Sequence, residues 1–103
     1  MDFYGSEQDA VFGLHKQGYI NDFHLFGNDL LWTQQKIFIR VANFSIIEYH
    51  RFLKPDKPGR EIIVFAVALK QYNVKGIMMN DYPSYTPGTP AVIVGKIKKM
   101  LLA

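Results

Sequence analysis

The segment Glu61–Leu69, which reads EIIVFAVAL, restricts the possible folds of this chain more than any other stretch. Every residue of the segment after Glu61 is apolar, so a strand formed here carries apolar side chains on both faces. Such a strand lies inside a sheet and needs cover on both sides. The pattern therefore predicts an interior strand with at least one further layer packed on it.

Further strands are indicated before and after this segment. Ile20–Phe26 and Leu30–Thr33 flank a Gly-Asn turn and are typical of a hairpin. Three more segments have strand patterns, at Lys36–Val41, Phe44–Leu53 and Val74–Asn80. Consecutive strands joined by short loops are antiparallel, so we predict an antiparallel meander sheet of four to five strands.

A helix is predicted near the start of the chain. Ser6 precedes the acidic residues Glu7 and Asp9, which is the pattern of a capped helix N-terminus. The helix is expected to continue to about Gln17, because Gly18 follows and can adopt the positive φ of a helix end.

A second helix is predicted at the other end of the chain, beginning at Thr89-Pro90. Thr caps helices, and Pro suits the first helical position. Apolar residues then recur at helical spacing, at Ile93, Val94, Ile97, Met100 and Leu101. A meander sheet with an N-terminal and a C-terminal helix packed on it is a single α+β domain over residues 1–103.

The two helices are expected to share one face of the sheet, which leaves the other face partly apolar. A homodimer through the open face would cover it. Phe12 falls on the solvent side of the first helix, and Tyr82 and Tyr85 follow the last predicted strand. Exposed aromatic rings suit contact surfaces, so these three residues are the predicted interface, although Tyr rings in loops also pack locally.

The absence of cysteine excludes disulfides, thiolate metal sites and cysteine nucleophiles. No apolar run approaches the roughly 18 residues that a membrane-spanning helix needs, and the acidic start of the chain does not fit a signal peptide. We therefore expect a cytoplasmic protein with no membrane contact, and no cofactor or metal site is predicted.

The formal net charge of +3 conceals an asymmetry along the chain. Residues 1–30 hold five acidic side chains against Lys16 alone, a net charge of −4, whereas residues 31–103 hold eleven basic and four acidic side chains, a net charge of +7. Spatial separation of these parts would favour head-to-tail association or an acidic ligand, and interleaving would cancel it. The basic clusters do not alternate with aromatic residues on a strand, so nucleic acid binding is not predicted.

Three motifs, at Gly13–Leu25, Phe44–Phe52 and Val74–Tyr82, resemble a family of short uncharacterised bacterial proteins. They read GLHKQGYINDFHL, FSIIEYHRF and VKGIMMNDY, and the resemblance covers nearly the whole chain. It departs from the family pattern at Tyr49-His50. Some members of the family are labelled phosphoribosylpyrophosphate synthetase, but this label is a name without a supporting mechanism. The family implies no catalytic residues for this chain.

The stretch from Asp81 to the predicted second helix has some features of a sugar-phosphate site. Asp81 could bind ribose hydroxyls, while Thr86, Gly88 and Thr89 could bind a phosphate at the helix start. Three prolines in the same stretch each remove an N–H that a phosphate would use. The chain also lacks the alternating strands and helices and the Walker-type motif expected of a synthetase. Binding of a phosphorylated small molecule is the alternative function.

Histidines and a glutamate form one further candidate group. Strict alternation along the longest predicted strand places Phe44, Glu48 and His50 on one face. If the strand of His24 were adjacent, His24, Glu48 and His50 would make a two-histidine, one-carboxylate metal site. Hydrogen-bonded histidines without a metal are the favoured interpretation. No serine has a convincing His–Asp partner pattern, so no catalytic residue is predicted.

These patterns together predict a small non-catalytic domain that acts through self-association, as a homodimer, or through an unidentified protein partner. Whether the chain has any enzymatic activity stays open from the sequence.

Overall fold

The computed structural model describes residues 4–26, 29–54, 56–82 and Gly95. Helix α1 spans Glu7–Lys16, and a short 3-10 turn spans Val41–Asn43. The strands are β1 Asn21–Phe26, β2 Asp29–Trp32, β3 Ile37–Ile39, β4 Phe44–Leu53, β5 Glu61–Leu69 and β6 Lys75–Tyr82. The α+β class is confirmed. The predicted C-terminal helix lies outside the described residues, apart from Gly95, whose backbone is helical.

The six strands form one mixed sheet in the order β3-β2-β1-β6-β5-β4. Two antiparallel meanders, β1–β2–β3 and β4–β5–β6, meet where β1 pairs with β6 in parallel. The prediction of four to five strands in a wholly antiparallel meander was therefore wrong in strand number and at this central pair. Short loops determine the direction of consecutive strands only, and they leave the pairing of the first strand with the last one open.

A glycine permits the parallel seam between the two meanders. Gly76 of β6 lies opposite Asn21 of β1. A Cβ at Gly76 would overlap the backbone carbonyl of Asn21 and the ring of Phe23. Only a residue without a side chain fits this approach of the two backbones.

The sheet must curl, because its two edge strands are consecutive in the chain. Six flat strands would place β3 and β4 about 24 Å apart, at roughly 4.8 Å per strand. The five residue steps from Ile39 to Phe44 reach at most about 18 Å. Both residues are buried in the same hydrophobic cluster, together with residues from every strand of the sheet. The concave side of the sheet therefore encloses this cluster, which we call the inner core.

Strand β5 supplies side chains to two cores, as the sequence pattern predicts for an interior strand. Ile63, Phe65 and Val67 face the inner core, while Val64 and Ala66 face the helix side of the sheet. The inner core consists of Phe23, Leu30, Trp32, Ile39, Phe44, Ile46, Ile63, Phe65, Val67, Leu69 and Met78. The outer core, beneath α1, consists of Ala10, Leu14, Tyr19, Val64, Ala66 and Ile77.

Helix α1 covers only one half of the outer face. The Ser6 hydroxyl accepts a hydrogen bond from the Asp9 backbone N–H at 3.1 Å, and Gly18 follows the helix with φ of 97°, as the sequence predicts. Buried Ala10 and Leu14 hold the helix on β4, β5 and β6. The outer face of β1–β3 has no such layer among the described residues.

A β-bulge at Ile47 reverses the faces of β4. The register with β5 shifts between Ile46 and Glu48, so Phe44 and Ile46 face the inner core whereas Glu48 and His50 face the helix side. Strict alternation, which places Phe44 on the same face as Glu48, was wrong because the extra residue changes the parity of everything that follows.

Candidate interaction surface

The uncovered outer face of β1–β3 carries a group of apolar and aromatic side chains. Phe23 and Leu25 of β1 point to the inner core, so His24 and Phe26 point outward. His24 lies opposite Leu31 of β2, which in turn lies opposite Phe38 of β3. We call His24, Phe26, Leu31 and Phe38 the outer aromatic patch.

Two phenylalanine rings form the centre of the patch. Phe26 and Phe38 lie edge to face, with their ring centroids 5.8 Å apart and an interplanar angle of 83°. Phe26 is 56% exposed and Phe38 is 59% exposed. Together they present roughly 230 Å² of apolar surface, if a Phe side chain has about 200 Å². Aromatic pairs in contact on an open sheet face are typical of a binding surface.

The sequence did contain a signal for this patch. In Lys36–Val41, Phe38 alternates with Ile37 and Ile39 and shares the polar face with Lys36 and Arg40. An aromatic residue on the polar side of a short strand indicates an exposed ring. Its pairing with Phe26 depends on the β1–β2–β3 register and could not be deduced from spacing alone.

A groove runs beside α1 on the same side of the sheet. Val11, Phe12 and His15 of the helix form one wall, and Met79 of β6 forms the floor. This part measures about 490 Å³, and an adjoining part of about 250 Å³ continues toward Asp22 of β1. We call the two parts together the α1 groove.

Phe12 is exposed, as its position on the helix predicts. Its side chain is 62% accessible, and the Lys16 ammonium lies 4.4 Å from its ring centroid. A cation over an exposed ring contributes about 0.5–1 kcal/mol. The part that Phe12 takes in an interface stays a prediction.

The other predicted site residues lie at or beyond the end of β6. Strand β6 continues to Tyr82, with Asp81 opposite Ile62 and Tyr82 opposite Glu61. Asp81 therefore belongs to the strand and not to a loop after Asn80, because β5 is long enough to continue the ladder. Tyr85, Thr86, Gly88 and Thr89 lie outside the described residues. A phosphate-binding loop here stays a prediction.

Glu48 and His50 form a pair on the helix side of β4. Glu48 Oε2 lies 2.7 Å from His50 Nε2, and both side chains are largely buried. The Tyr4 ring packs edge to face on His50, with centroids 4.8 Å apart. Through this contact the pair helps to hold α1 and the preceding residues on the sheet.

The same carboxylate acts on Tyr19 of the outer core. Burial raises the pKa of the Tyr19 phenol above its ordinary value of 10.0, and the nearby Glu48 carboxylate raises this pKa further.

His24 does not join Glu48 and His50. It lies on β1, and β6 and β5 separate β1 from β4 in the sheet, a spacing of about 14 Å. Within the described residues, no three His, Cys, Asp or Glu side chains lie close enough to hold a metal ion.

A second ion pair lies on the inner face, between Arg51 and Glu61. Arg51 Nη2 donates to Glu61 Oε1 at 2.7 Å, and Arg51 Nε contacts both carboxylate oxygens at 3.1 and 3.2 Å. The Glu61 side chain is 4% exposed and that of Arg51 is 43% exposed. This two-point contact satisfies a buried carboxylate. Sequence reasoning missed it, although a lone acid at the start of an apolar strand does require a partner.

No family model, curated protein or solved structure matches this chain. Among the described residues, none of the helices has the length and apolar character needed to cross a bilayer.

Proposed function

We propose that the protein is a non-catalytic interaction domain that forms a homodimer through the outer aromatic patch. The observation that supports this proposal best is the exposed, edge-to-face Phe26–Phe38 pair on the half of the sheet that α1 leaves uncovered. Burying such rings against a partner removes apolar surface from water and so lowers the free energy.

A second copy suits the patch because both ends of its rim carry both signs of charge. At the start of β2, Asp29 lies beside Arg40, which follows Ile39 opposite Leu30. At the other end, Lys36 in the turn after β2 lies at the same end as Asp22, whose backbone carbonyl accepts from the Thr33 N–H. In a two-fold dimer with facing strands antiparallel, these mixed ends meet, so side chains of opposite charge can pair. Burying the two rings of both copies releases at most about 11 kcal/mol, which is of the same order as the cost of association. A dimer of modest affinity is expected.

The resemblance to the short bacterial family is compatible with a structural role for its motifs. Gly13 lies against the Tyr4 ring, Gly18 adopts positive φ and Gly76 permits the parallel seam. Phe44 is buried in the inner core, and Arg51 neutralises Glu61. The motif residues described here thus act in folding, and no catalytic role is needed to explain them.

The test is sedimentation equilibrium of three proteins over a range of concentrations. The unsubstituted chain should dimerise. Phe38→Lys should weaken dimerisation about a thousandfold, because a ring worth about 2 kcal/mol is lost twice in a symmetric dimer.

Leu53→Lys is the matched control for this substitution. Leu53 is 78% exposed and is the last residue of β4, about 30 Å along the strand from Phe44, where β4 follows β3, so its replacement should leave the dimer unchanged. A monomeric unsubstituted protein at high concentration, or equal effects of the two substitutions, would contradict the proposal.

A further inference from the structure

One member of the outer aromatic patch, His24, can change its charge near neutral pH. His24 is exposed and lies directly opposite Leu31 on β2, which in turn lies opposite Phe38 on β3. On the other side of β1, Met79 of β6 lines the same cavity as His24. The imidazole therefore belongs to a row across the strands whose other members, Met79, Leu31 and Phe38, are apolar.

The two-fold axis of the proposed dimer brings this row against its own copy. With facing strands antiparallel, the axis lies in the interface and crosses the strands, so each strand faces the same strand of the other copy. When Leu31 lies near the axis, the two His24 side chains face each other. Facing sheets pack about 10 Å apart with their side chains in contact. The two imidazoles are then buried side by side.

We propose that acid dissociates the dimer through protonation of His24. The inference rests on the proposed function, because it assigns a form of regulation to the same surface. Two neutral imidazoles suit the contact, since a ring nitrogen of one can donate a hydrogen bond to a ring nitrogen of the other. Two imidazolium ions lose their water and repel each other, and both effects raise the free energy of the dimer.

Acidic residues near His24 lie outside its row. Asp22 precedes His24 by two residues on β1, and Gln34 Nε2 donates a hydrogen bond to Asp22 Oδ2 at 2.9 Å. Asp29 of β2 lies two residues before Leu31. On β6, Asp81 follows Met79 by two residues. Two residues along a strand are about 7 Å, so these positions belong to the rows at the rim.

The basic and titratable groups on this side oppose a charge on His24. His15 of α1 lines the same cavity and gains a positive charge in acid, as His24 does. Lys36 and Arg40 lie two residues either side of Phe38. All of these neighbours act on His24 in the monomer as well as in the dimer. The pH dependence of association therefore comes mainly from what the dimer adds, the loss of water and the second imidazole.

The test is sedimentation equilibrium at pH 7.5 and pH 5.5 at constant ionic strength. Dimerisation of the unsubstituted chain should weaken about a hundredfold in acid. An imidazole that has to stay neutral in the dimer costs about tenfold across this range, and the dimer contains two of them.

His24→Gln retains a polar side chain without a titrating group, so its Kd should change less than about twofold between the two pH values. His15→Gln is the matched control, because His15 is also exposed and lines the same cavity. The full acid effect should persist in this variant.

The outcomes separate this inference from the proposed dimer. An unsubstituted chain that is monomeric at both pH values would overturn both. A dimer with the same Kd at both pH values, or with a lower Kd in acid, would overturn the role of His24 alone. Equal weakening of the unsubstituted chain and His24→Gln, as general acid unfolding would cause, would also overturn it.

Discussion

The two halves of the sheet differ in what covers their outer faces. On β4–β6, α1 covers outward residues such as Val64 and Ala66, and both are completely buried. On β1–β3, the equivalent positions carry Phe26 and Phe38, which stay more than half exposed within the described structure. On the inner face, strands of both halves supply buried side chains to the inner core, so both halves stabilise the fold there. The half formed by β1–β3 therefore has exposed apolar surface that a partner could bury.

The largest expected effect comes from separating the two halves at their seam. Gly76→Ala places a methyl group against the Asn21 carbonyl and the Phe23 ring, so β1 and β6 must move apart. We expect a loss of about 3 kcal/mol or more, and a fall in Tm of at least roughly 12 °C in thermal unfolding.

Gly95→Ala is the control for this substitution. Gly95 is helical and exposed, and a Cβ built on it meets no atom within 4 Å, so Ala should stabilise the protein by about 0.5–1 kcal/mol through helix propensity. An unchanged Tm for Gly76→Ala would show that the pairing of the two meanders does not require this close approach of β1 and β6.

A pair of truncations compares the two outer faces directly. Val64→Ala removes buried methyl groups beneath α1 and should cost about 2 kcal/mol in denaturant unfolding. Phe38→Ala, measured at a concentration where the protein is monomeric, should change stability by less than about 0.5 kcal/mol because its ring is exposed. Similar losses for both variants would mean that the outer aromatic patch is already covered within the monomer.

The covered half should also respond to alkaline pH through Tyr19. Its phenol has a raised pKa in the folded protein, so the unfolded chain releases this proton first as the pH rises through 10.0. The stabilising contribution is complete below that value and is lost as the pH rises toward the folded pKa. Between about pH 9 and pH 11, Tyr19→Phe should lose less stability than the unsubstituted protein.

Tyr72→Phe is the control for this pH dependence. Tyr72 is 50% exposed, so this variant measures what the removal of an exposed phenol does to the profile. An identical profile for Tyr19→Phe would contradict the role assigned to burial beneath α1.

The smallest effect is expected for a phosphorylated ligand. The Tm measured with phosphoribosyl pyrophosphate and Mg²⁺ should equal the Tm measured with plain phosphate. The reason is that the proposed function depends on the outer aromatic patch and not on a phosphate site. A ligand at 100 times its Kd would add about 2.7 kcal/mol, or more than roughly 10 °C in Tm. A specific shift of that size, lost in Asp81→Ala, would instead support the alternative of a metabolite-binding module.

Local patterns predicted a large part of this fold. The cap at Ser6, the end of the helix at Gly18 and the two-sided burial of β5 all follow from short-range chemistry. The parallel β1–β6 pair could not be predicted, because it joins segments more than fifty residues apart. The bulge at Ile47 was equally hidden, since alternation patterns do not show where an extra residue is inserted.

The candidate surface was predicted less well than the fold. Exposure of Phe12 follows from helical periodicity, and Phe38 stands out on a polar strand face. The Phe26–Phe38 contact needed the cross-strand register, and the exposure of the patch needed the position of α1 over the other half. Both depend on tertiary structure that a single sequence does not reveal.

The most direct test of the account places a single cysteine in the middle of the outer aromatic patch. Leu31 lies between His24 and Phe38, near the expected two-fold axis, so Leu31→Cys should form a covalent dimer on oxidation. Leu53→Cys, on an exposed position of β4, should remain monomeric. A protein that sediments as a dimer but cross-links through Leu53→Cys and not through Leu31→Cys would contradict the claim that the uncovered half of the sheet is the binding surface.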